Sequence, residues 1–202
     1  MKYTPHGIAF TGRMHSGKDT AADFLLRLYG TRHLATGATQ GLKCKRMAFA
    51  DPLKDICING FGLTHEQVYT SNGKDMYLPD YEQTVRQFLQ NVGQAMRDGV
   101  HKDIWTILMK KKLQACADSG TFFIVTDVRY PNEAKMIHDF SGLVVRVDRG
   151  IQVPDTHPSE QPIPDELVDE TVLNNGDTAD YEQKLTDLFA RALNLSAFYT
   201  LS

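Results

Sequence analysis

The sequence predicts an α/β fold in which helices cover both faces of a parallel β-sheet. Short apolar runs suited to buried strands alternate with segments whose apolar residues recur at helical spacing. The first run, Gly7–Thr11, leads into a glycine-bounded turn that ends at Lys18, and a helical pattern follows. Strands that alternate with helices form parallel sheets, because each return to the sheet needs a crossover.

Size, composition and charge are those of an ordinary globular domain. The chain has 202 residues, of which 42% are hydrophobic and 23% charged, which is enough to bury a sizeable core. The formal net charge is −3, so a protein that binds nucleic acid mainly by neutralising its phosphates is not expected. We expect one domain over residues 1–202.

Cysteine spacing and hydropathy both favour the cytoplasm. Cys44, Cys57 and Cys116 form no CxxC pair and no metal-ligand spacing, so we expect reduced, partly buried thiols. Residues 1–7 lack the apolar run of a signal peptide. No stretch approaches the roughly 18 apolar residues of a membrane span, so no membrane partner is expected.

In the first half of the chain, Thr20–Tyr29 is predicted as a helix that stops at Gly30, followed by a polar loop over 31–43. Asp51-Pro52 starts a helix with proline at its first position, and Thr64–Gln67 has the spacing of a capping box. The other predictions are a strand at Arg46–Ala50, a polar segment with an Asn72-Gly73 turn at Ser71–Asp80, and helices at Tyr81–Arg97 and Asp103–Ser119.

The second half repeats the alternation of strand and helix. Its clearest strand is Thr121–Val125, with five consecutive residues suited to burial on both faces. The other predictions are a helix at Pro131–Phe140, strands at Leu143–Val147 and Glu170–Leu173, and a helix at Ala179–Leu195. A proline-bearing segment at about 149–166 is expected to be a loop or lid. The helix-rich block at about 52–118 is too large for a crossover, so we interpret it as an inserted acceptor-binding subdomain.

The segment Gly12-Arg-Met-His-Ser-Gly17-Lys18 has the G-x-x-x-x-G-K spacing of a phosphate-binding loop, or P-loop. Glycines there let the backbone curl so that several N–H groups point at one phosphate, and the next helix aims its positive end at the same place. Lys18 supplies a mobile charge that follows the transferred phosphoryl group. The predicted nucleotide-binding residues are Gly12, Arg13, His15, Ser16, Gly17, Lys18, Asp19 and Thr20.

The end of this motif departs from the usual pattern. The position after the lysine, commonly Ser or Thr, is Asp19, and the hydroxyl comes at Thr20. Direct magnesium ligation by Thr20 is therefore open. The Gly-Lys-Asp-Thr ending favours a kinase of small phosphorylated molecules over a GTPase, and the sequence has no Asn-Lys-x-Asp guanine-reading motif.

Asp127 follows the most apolar strand, where a P-loop protein places the acidic residue that holds Mg²⁺ or its waters. A turn-forming aspartate is the alternative. Arg129 is expected either to reach phosphate oxygens or to form a surface ion pair. Arg149 begins the predicted lid and is assigned to charge stabilisation during phosphoryl transfer. For Arg146, an outward strand position is the favoured interpretation.

The long helix of the insertion carries polar residues that suit an acceptor nucleotide. Spacings of three and four place Arg86, Gln90 and Arg97 near one face, with Gln87 beside them. Arginine binds phosphate with a fork of donors, and glutamine can pair with the edge of a base. A solvated helix face is the alternative.

Five segments together resemble the bacteriophage deoxynucleoside monophosphate kinases, in order from about residue 7 to 176. They are Gly12–Thr20, Phe49-Ala-Asp-Pro-Leu-Lys54, Arg86-Gln-Phe-Leu-Gln90, Thr126-Asp-Val-Arg-Tyr-Pro-Asn-Glu133 and His157-Pro-Ser-Glu160. The Asp-Val-Arg-Tyr-Pro-Asn-Glu string is the most specific, whereas Phe-Ala-Asp-Pro-Leu-Lys is shared with phosphomevalonate kinases. The resemblance implies the nucleoside monophosphate kinase variant of the P-loop fold, with a host cytoplasmic location if the chain is phage-encoded.

The resemblance also implies residue roles. Lys18 becomes the phosphate-binding lysine, Asp51 and Lys54 join the acceptor site, and Arg129 becomes a phosphate contact near Asp127. By its position after the last strand, the segment Asn174-Asn-Gly176 is assigned to the adenine, with Asn175 as its binding residue.

The expected reaction is transfer of the γ-phosphate of ATP, with Mg²⁺, to a deoxynucleoside monophosphate (dNMP). Two alternatives stay open at this point. One is another small-molecule kinase, of the phosphomevalonate or dephospho-coenzyme A type, and the other is a regulatory switch that hydrolyses a nucleotide. The sequence fixes neither the accepted bases nor the oligomeric state, for which a homodimer is one option.

Overall fold

The computed structural model describes residues 6–35, 43–150 and 161–192. Three predicted segments lie partly outside these ranges: the loop over 31–43 (residues 36–42), the lid (residues 151–160, which include His157) and the last helix (residues 193–195). The described part of the chain divides into two compact units. One comprises the residues up to Ala48 and those from Lys110 onwards, and the other is Phe49–Met109.

The first unit is built on a parallel five-stranded sheet, as predicted. Its strands are β1 (Gly7–Thr11), β2 (Cys44–Met47), β5 (Phe122–Val128), β6 (Gly142–Asp148) and β7 (Glu170–Leu173), in the order β2-β5-β1-β6-β7. In register, Ile8 lies opposite Ile124 on one side and Leu143 on the other. The carboxyl ends of β1, β5 and β6 therefore lie side by side at one edge.

Helices cover both faces of this sheet. Helices α1 (Lys18–Ala35) and α8 (Thr178–Ala192) pack on the face that carries Ile8, Phe10 and Ile124. Side chains alternate along a strand, so the neighbouring residues point to the other face. There α7 (Pro131–Asp139) covers Phe123. Gly142 is required at this contact, because a Cβ there would lie 2.7 Å from both Ile137 and Phe123 side-chain atoms.

The second unit is mainly helical. It holds α2 (Asp51–Phe61), α3 (His65–Tyr69), α4 (Ser71–Asp75), α5 (Val85–Gly99) and the start of α6 (Ile104–Asp118). Phe88 of α5 packs against Phe61, with ring centroids 5.1 Å apart, and against Tyr81, at 4.6 Å. The Trp105 indole donates a hydrogen bond to the Gly93 carbonyl at 3.2 Å. The capping box predicted at Thr64 and Gln67 is confirmed.

Two sequence predictions in the second unit were wrong. The polar segment Ser71–Asp80 contains α4, and Gly73 belongs to this helix rather than to a turn. A Cβ at Gly73 would lie 2.2 Å from the Glu66 carbonyl oxygen, so glycine is there for close packing. The next helix begins at Val85 rather than Tyr81, because Thr84 caps it and β3 (Tyr77–Leu78) pairs with β4 (Gln83–Thr84).

In the first unit, the predicted helix stop at Gly30 was also wrong. Helix α1 continues through Gly30 to Ala35, since one glycine costs a helix only about 1 kcal/mol. The second strand lies at Cys44–Met47 rather than Arg46–Ala50. The fifth strand runs on to Val128, so Asp127 lies inside it rather than after it.

All three cysteines are free, as expected from their spacing. Burial raises the pKa of the Cys44 thiol to about 12 and that of Cys57 to about 11. Burial also raises the pKa of Cys116. Within the described ranges, no helix is long and apolar enough to cross a membrane.

Candidate active site at the P-loop

The loop between β1 and α1 has the curled backbone that the glycine spacing predicts. Gly12 and Gly17 have φ angles of 138° and 105°, and His15 between them has φ of 62°. A Cβ at Gly12 would lie 2.3 Å from the Val147 carbonyl oxygen. Gly12 therefore lets the loop lie directly against β6.

Lys18 is the first residue of α1 and is 9% exposed. Its Nζ donates hydrogen bonds to the carbonyl oxygens of Gly12 and Arg13, both at 2.7 Å. The ammonium group is thus held against the loop that carries the phosphate-binding pattern. A flexible stem of four carbons leaves it able to follow a phosphate in the loop.

Ser16 offers a direct indication that the loop is shaped for a ligand. Its side chain is 3% exposed, and among the described residues its Oγ has no hydrogen-bond partner. A buried hydroxyl without a partner costs about 1–3 kcal/mol. A phosphate oxygen in the loop would satisfy it.

Replacing Ser16 by alanine should therefore separate binding from stability. We expect ADP or ATP to bind about three- to tenfold more weakly, the value of one hydrogen bond. The free energy of unfolding should stay unchanged or rise by up to about 1 kcal/mol, since an unpaired buried group is removed. Calorimetric titration and chemical denaturation measure the two quantities. Ser119→Ala, whose hydroxyl bonds to Ala115 and Thr121, should leave binding unchanged. Wild-type affinity in Ser16→Ala would contradict the role.

A cavity of about 230 Å³ opens at the mouth of this loop. Its lining combines the P-loop with the carboxyl ends of β5 and β6 and includes four arginines, Arg13, Arg129, Arg146 and Arg149. Four arginines in the lining of one small cavity favour a polyanionic ligand such as a nucleotide polyphosphate.

The arginines are held in place by different contacts. Nη1 of Arg149 lies 3.5 Å from the His15 carbonyl oxygen, which places this predicted lid residue beside the P-loop. Arg146 pairs with Asp165 and donates to the Ile163 carbonyl at 2.8 Å. Because Arg146 also lines the cavity, the outward strand position favoured from sequence is wrong.

The turn that carries Arg129 is ordered by a buried carboxylate. Glu133 is 2% exposed and accepts hydrogen bonds from the backbone N–H groups of Arg129, at 2.8 Å, and Tyr130, at 3.2 Å. This contact joins the end of β5 to the start of α7. The Arg-Tyr-Pro-Asn-Glu part of the motif that resembles the phage kinases therefore has a structural role, in addition to any functional one.

Asp127 lies at the same edge, as the penultimate residue of β5. No three His, Cys, Asp or Glu side chains in the described ranges are grouped to hold a metal ion by themselves. Mg²⁺ is commonly held by one or two carboxylates together with the phosphates of a substrate. Asp127 is the residue that would supply such a carboxylate.

The two residues after Lys18 lie at the surface of the first turn of α1. Asp19 and Thr20 are both exposed. Asp19 pairs with Arg46 of β2, which also pairs with Asp23. The ion pairs tie the start of α1 to the edge strand, which is a structural reason for an acidic residue after the lysine.

Two residues from the C-terminal part of the chain contact the P-loop. Sequence reasoning did not assign Tyr181, and it placed Asn174 only in the segment assigned to the adenine. Nδ2 of Asn174 donates to the Ser16 carbonyl at 2.7 Å, and the Tyr181 hydroxyl donates to the Gly17 carbonyl at 3.1 Å. The neighbouring Asn175, assigned to the adenine, accepts a hydrogen bond from Lys184 at 3.4 Å. The available sequence signal was the position of Asn174 directly after the last strand.

In the second unit, the predicted acceptor residues on α5 differ in burial. Arg86, Gln90 and Arg97 are half-buried on one face, as their spacing predicts, whereas Gln87 is exposed. The Gln87 side-chain oxygen accepts from the Thr84 N–H at 2.9 Å in the capping box of α5. Arg86 donates to Asp75 at 2.8 Å, and Arg97 contacts the Lys102 carbonyl at 3.4 Å.

Asp51 and Lys54 lie on the first turn of α2, near Tyr69 of α3. The Lys54 ammonium lies 4.2 Å from the centroid of the Tyr69 ring. The pKa of Tyr69 is raised, mainly by burial and also by the carboxylates of Asp51 and Asp55. Lys54 therefore contacts the Tyr69 ring, and the charge of Asp51 acts on the phenol of the same residue.

Comparisons with known proteins find a matching family model and similar viral proteins. The family model described as deoxynucleotide monophosphate kinase matches residues 37–185. The "Putative deoxynucleotide monophosphate kinase" of Acanthamoeba polyphaga mimivirus is 36% identical over 174 residues, 76% of this chain and 79% of that protein. The deoxynucleoside-5′-monophosphate kinase of Escherichia phage T5 is 30% identical over 101 residues, 46% of this chain and 40% of that protein.

Among solved structures, the dephospho-CoA kinase from Campylobacter jejuni has a similar fold. It superposes with a TM-score of 0.53 over 94% of this chain and 98% of that one, at 11% sequence identity. At this identity the likeness supports the P-loop kinase fold and carries no information on the acceptor.

Proposed function

The chain belongs to the deoxynucleotide monophosphate kinase family, and we propose that it transfers the γ-phosphate of ATP to a dNMP, giving dNDP and ADP. The observation that carries the ATP side of this proposal is the arginine-lined cavity at the mouth of the P-loop. The unpartnered Ser16 hydroxyl beside it supports the same site. The family membership supports the acceptor.

On the donor side, the backbone N–H groups of the P-loop bind the β- and γ-phosphates, and Lys18 neutralises charge on the oxygens of the transferred group. Arg129 and Arg149 add positive charge from the ends of β5 and β6. When bound, Mg²⁺ would offset charge on the phosphate oxygens, and Asp127 is the residue that would help to hold it. The P-loop residues from Gly12 to Thr20 and Asn175 complete the proposed nucleotide site.

On the acceptor side, we assign the second unit. Arg86 and Arg97 bind the phosphate of the dNMP, and Gln90, on the same face of α5, reads the base. Asp51 and Lys54 orient the rest of the acceptor. Gln87 retains only its amide donors for this purpose, because its oxygen caps α5. The acceptor phosphate is already ionised, so alignment and charge neutralisation are sufficient and no strong general base is needed.

The proposed partners are two small molecules, ATP and the dNMP, and the proposed location is the cytoplasm, the host's if the chain is phage-encoded. Free thiols at Cys44, Cys57 and Cys116 support a reducing compartment.

A substrate panel tests the reaction directly. The four dNMPs, their ribose counterparts, dephospho-coenzyme A and phosphomevalonate are each incubated with ATP and Mg²⁺, and ADP formation is measured. We expect at least one dNMP to be phosphorylated, with no turnover of dephospho-coenzyme A or phosphomevalonate. ATP consumption that is independent of every acceptor would contradict the kinase assignment and would indicate a nucleotide-hydrolysing switch.

The acceptor site is tested through Arg86 and its partner. Arg86→Ala should raise the KM for the dNMP by about ten- to a hundredfold, because hydrogen bonds to charged groups contribute about 1.5–3 kcal/mol. The Kd for ADP should stay unchanged. Asp75→Asn disrupts the same ion pair and keeps the guanidinium group, so it serves as the matched control. Equal losses in the two variants would show that the ion pair alone matters, and would remove Arg86 from the acceptor site.

A further inference from the structure

Two side chains from the C-terminal part of the chain hold the backbone of the P-loop. Asn174 follows β7, and its amide donates to the Ser16 carbonyl at 2.7 Å. Tyr181 lies in the first turns of α8, and its hydroxyl donates to the Gly17 carbonyl at 3.1 Å. We call this pair the Asn174–Tyr181 clamp.

The two carbonyl groups that accept these hydrogen bonds belong to consecutive peptide units. This determines which N–H groups the clamp orients. A trans peptide is planar, with its C=O and N–H bonds pointing in opposite directions. The Ser16 carbonyl shares a peptide with the Gly17 N–H. The Gly17 carbonyl, which also accepts from the Ala21 N–H of α1 at 2.9 Å, shares one with the Lys18 N–H. Holding the two carbonyls on one side therefore aims the two N–H groups to the other side. Such N–H groups at the start of a helix are the ones that bind an anion.

Gly17 is required for the clamp as well as for the curl of the loop. A Cβ at this position would lie 2.4 Å from Asn174 Nδ2 and 3.5 Å from the Tyr181 hydroxyl oxygen. The absence of a side chain at Gly17 thus makes room for the clamp at the backbone.

The clamp residues are themselves fixed. The Asn174 N–H donates to the Asp148 carbonyl at 2.7 Å, and Asp148 lines the cavity at the end of β6. Tyr181 is 2% exposed and belongs to the core between the sheet and its helices. Burial raises the pKa of its phenol, so the hydroxyl keeps its proton and remains a donor throughout the neutral pH range.

We propose that Asn174 and Tyr181 are positioning residues for phosphoryl transfer, which orient the N–H groups of Gly17 and Lys18 towards the phosphates of the nucleotide. They act through the P-loop backbone and touch neither substrate. The proposal rests on the proposed nucleotide site and adds to it a pair of residues outside the P-loop motif.

Tyr181→Phe is the sharpest variant, because it removes one hydroxyl and keeps the buried ring. We expect the Kd for ADP with Mg²⁺, measured by calorimetric titration, to rise about three- to tenfold. The kcat/KM for ATP should fall by a similar factor, while the KM for the dNMP stays within about twofold. Asn174→Ala should show the same pattern, and the double variant should lose less than the product of the single effects, because the two peptides are adjacent. Gln183→Ala, on the exposed face of α8, is the control and should match the wild type.

The possible outcomes distinguish a positioning role of the clamp from a purely structural role. They also distinguish failure of the clamp from failure of the proposed function. Unchanged ADP affinity in Tyr181→Phe overturns the clamp, even if Asn174→Ala fails to fold. Equal weakening of ADP and dNMP with a lowered Tm overturns it too, since general loosening of the fold has that result. A wild-type protein that binds no adenine nucleotide would contradict the proposed function, and the clamp with it. Wild-type binding with unaffected variants would contradict the clamp alone.

Discussion

Lys18→Ala is expected to lower kcat by about 10²–10³-fold, the usual scale for losing one preorganised charge contact to a transition state. The lysine ammonium is the charge at the P-loop that can follow the phosphoryl group as it moves. In the structure it is held at 2.7 Å from two loop carbonyls, which keeps it at the cradle before a nucleotide binds. Steady-state kinetics with saturating ATP and dNMP give the value.

Because the same two hydrogen bonds also tie the loop together, the variant needs a check on its structure. A Tm near that of the wild type would show that the lost rate reflects the missing charge. Lys135→Ala, an exposed lysine of α7, should retain full activity. Unchanged turnover in Lys18→Ala would remove this residue from the mechanism.

Gly12→Ala should weaken nucleotide binding by about a hundredfold or more and lower the free energy of unfolding by about 1–3 kcal/mol. The added Cβ would lie 2.3 Å from the backbone oxygen of Val147, at a residue whose φ is 138°. Neither a backbone carbonyl nor this φ angle can adapt without movement of the loop away from β6. That movement would displace the phosphate cradle and the wall of the cavity together.

Calorimetric titration with ADP and denaturation by urea measure the two effects of Gly12→Ala. Gly60→Ala is the matched control, since a Cβ there meets nothing within 4 Å and lies in α2. It should leave binding unchanged and stabilise the protein by up to about 1 kcal/mol. A Gly12→Ala protein with wild-type affinity would show that the close approach to Val147 does not shape the site.

Local patterns predicted most of the sheet because each strand in it carries its own signal. Gly7–Thr11 and Glu170–Leu173 were predicted with the bounds that the structure has. The errors fell where a tertiary contact overrules a local preference. Gly73, next to Asn72, has the local signal of a turn, yet close packing against Glu66 places it in a helix. Helix α5 begins at Val85 rather than at the predicted Tyr81 because a pair of two-residue strands precedes it. Strands this short have no periodic pattern in the sequence.

The candidate site likewise has features that local sequence signals predicted and others that depend on tertiary contacts. The curl of the P-loop and the place of Lys18 follow from the sequence, because glycine spacing, a preceding strand and a following helix act within about a dozen residues. Arg129 was assigned from its place near the end of a strand and Arg149 as the start of the predicted lid, and both line the cavity. Arg146 was misassigned, because the alternation of side chains along a strand does not show what lies at its end.

The sequence by itself determined a P-loop α/β fold, the phosphate cradle and, through the resembling motifs, the family to which the chain belongs. Only the tertiary structure decided which distant residues support that cradle. Asn174 and Tyr181 are 158 and 164 residues away from their carbonyl partners. Contacts over such separations depend on the order of strands in the sheet and on the packing of α8. No short segment of the sequence determines either of these.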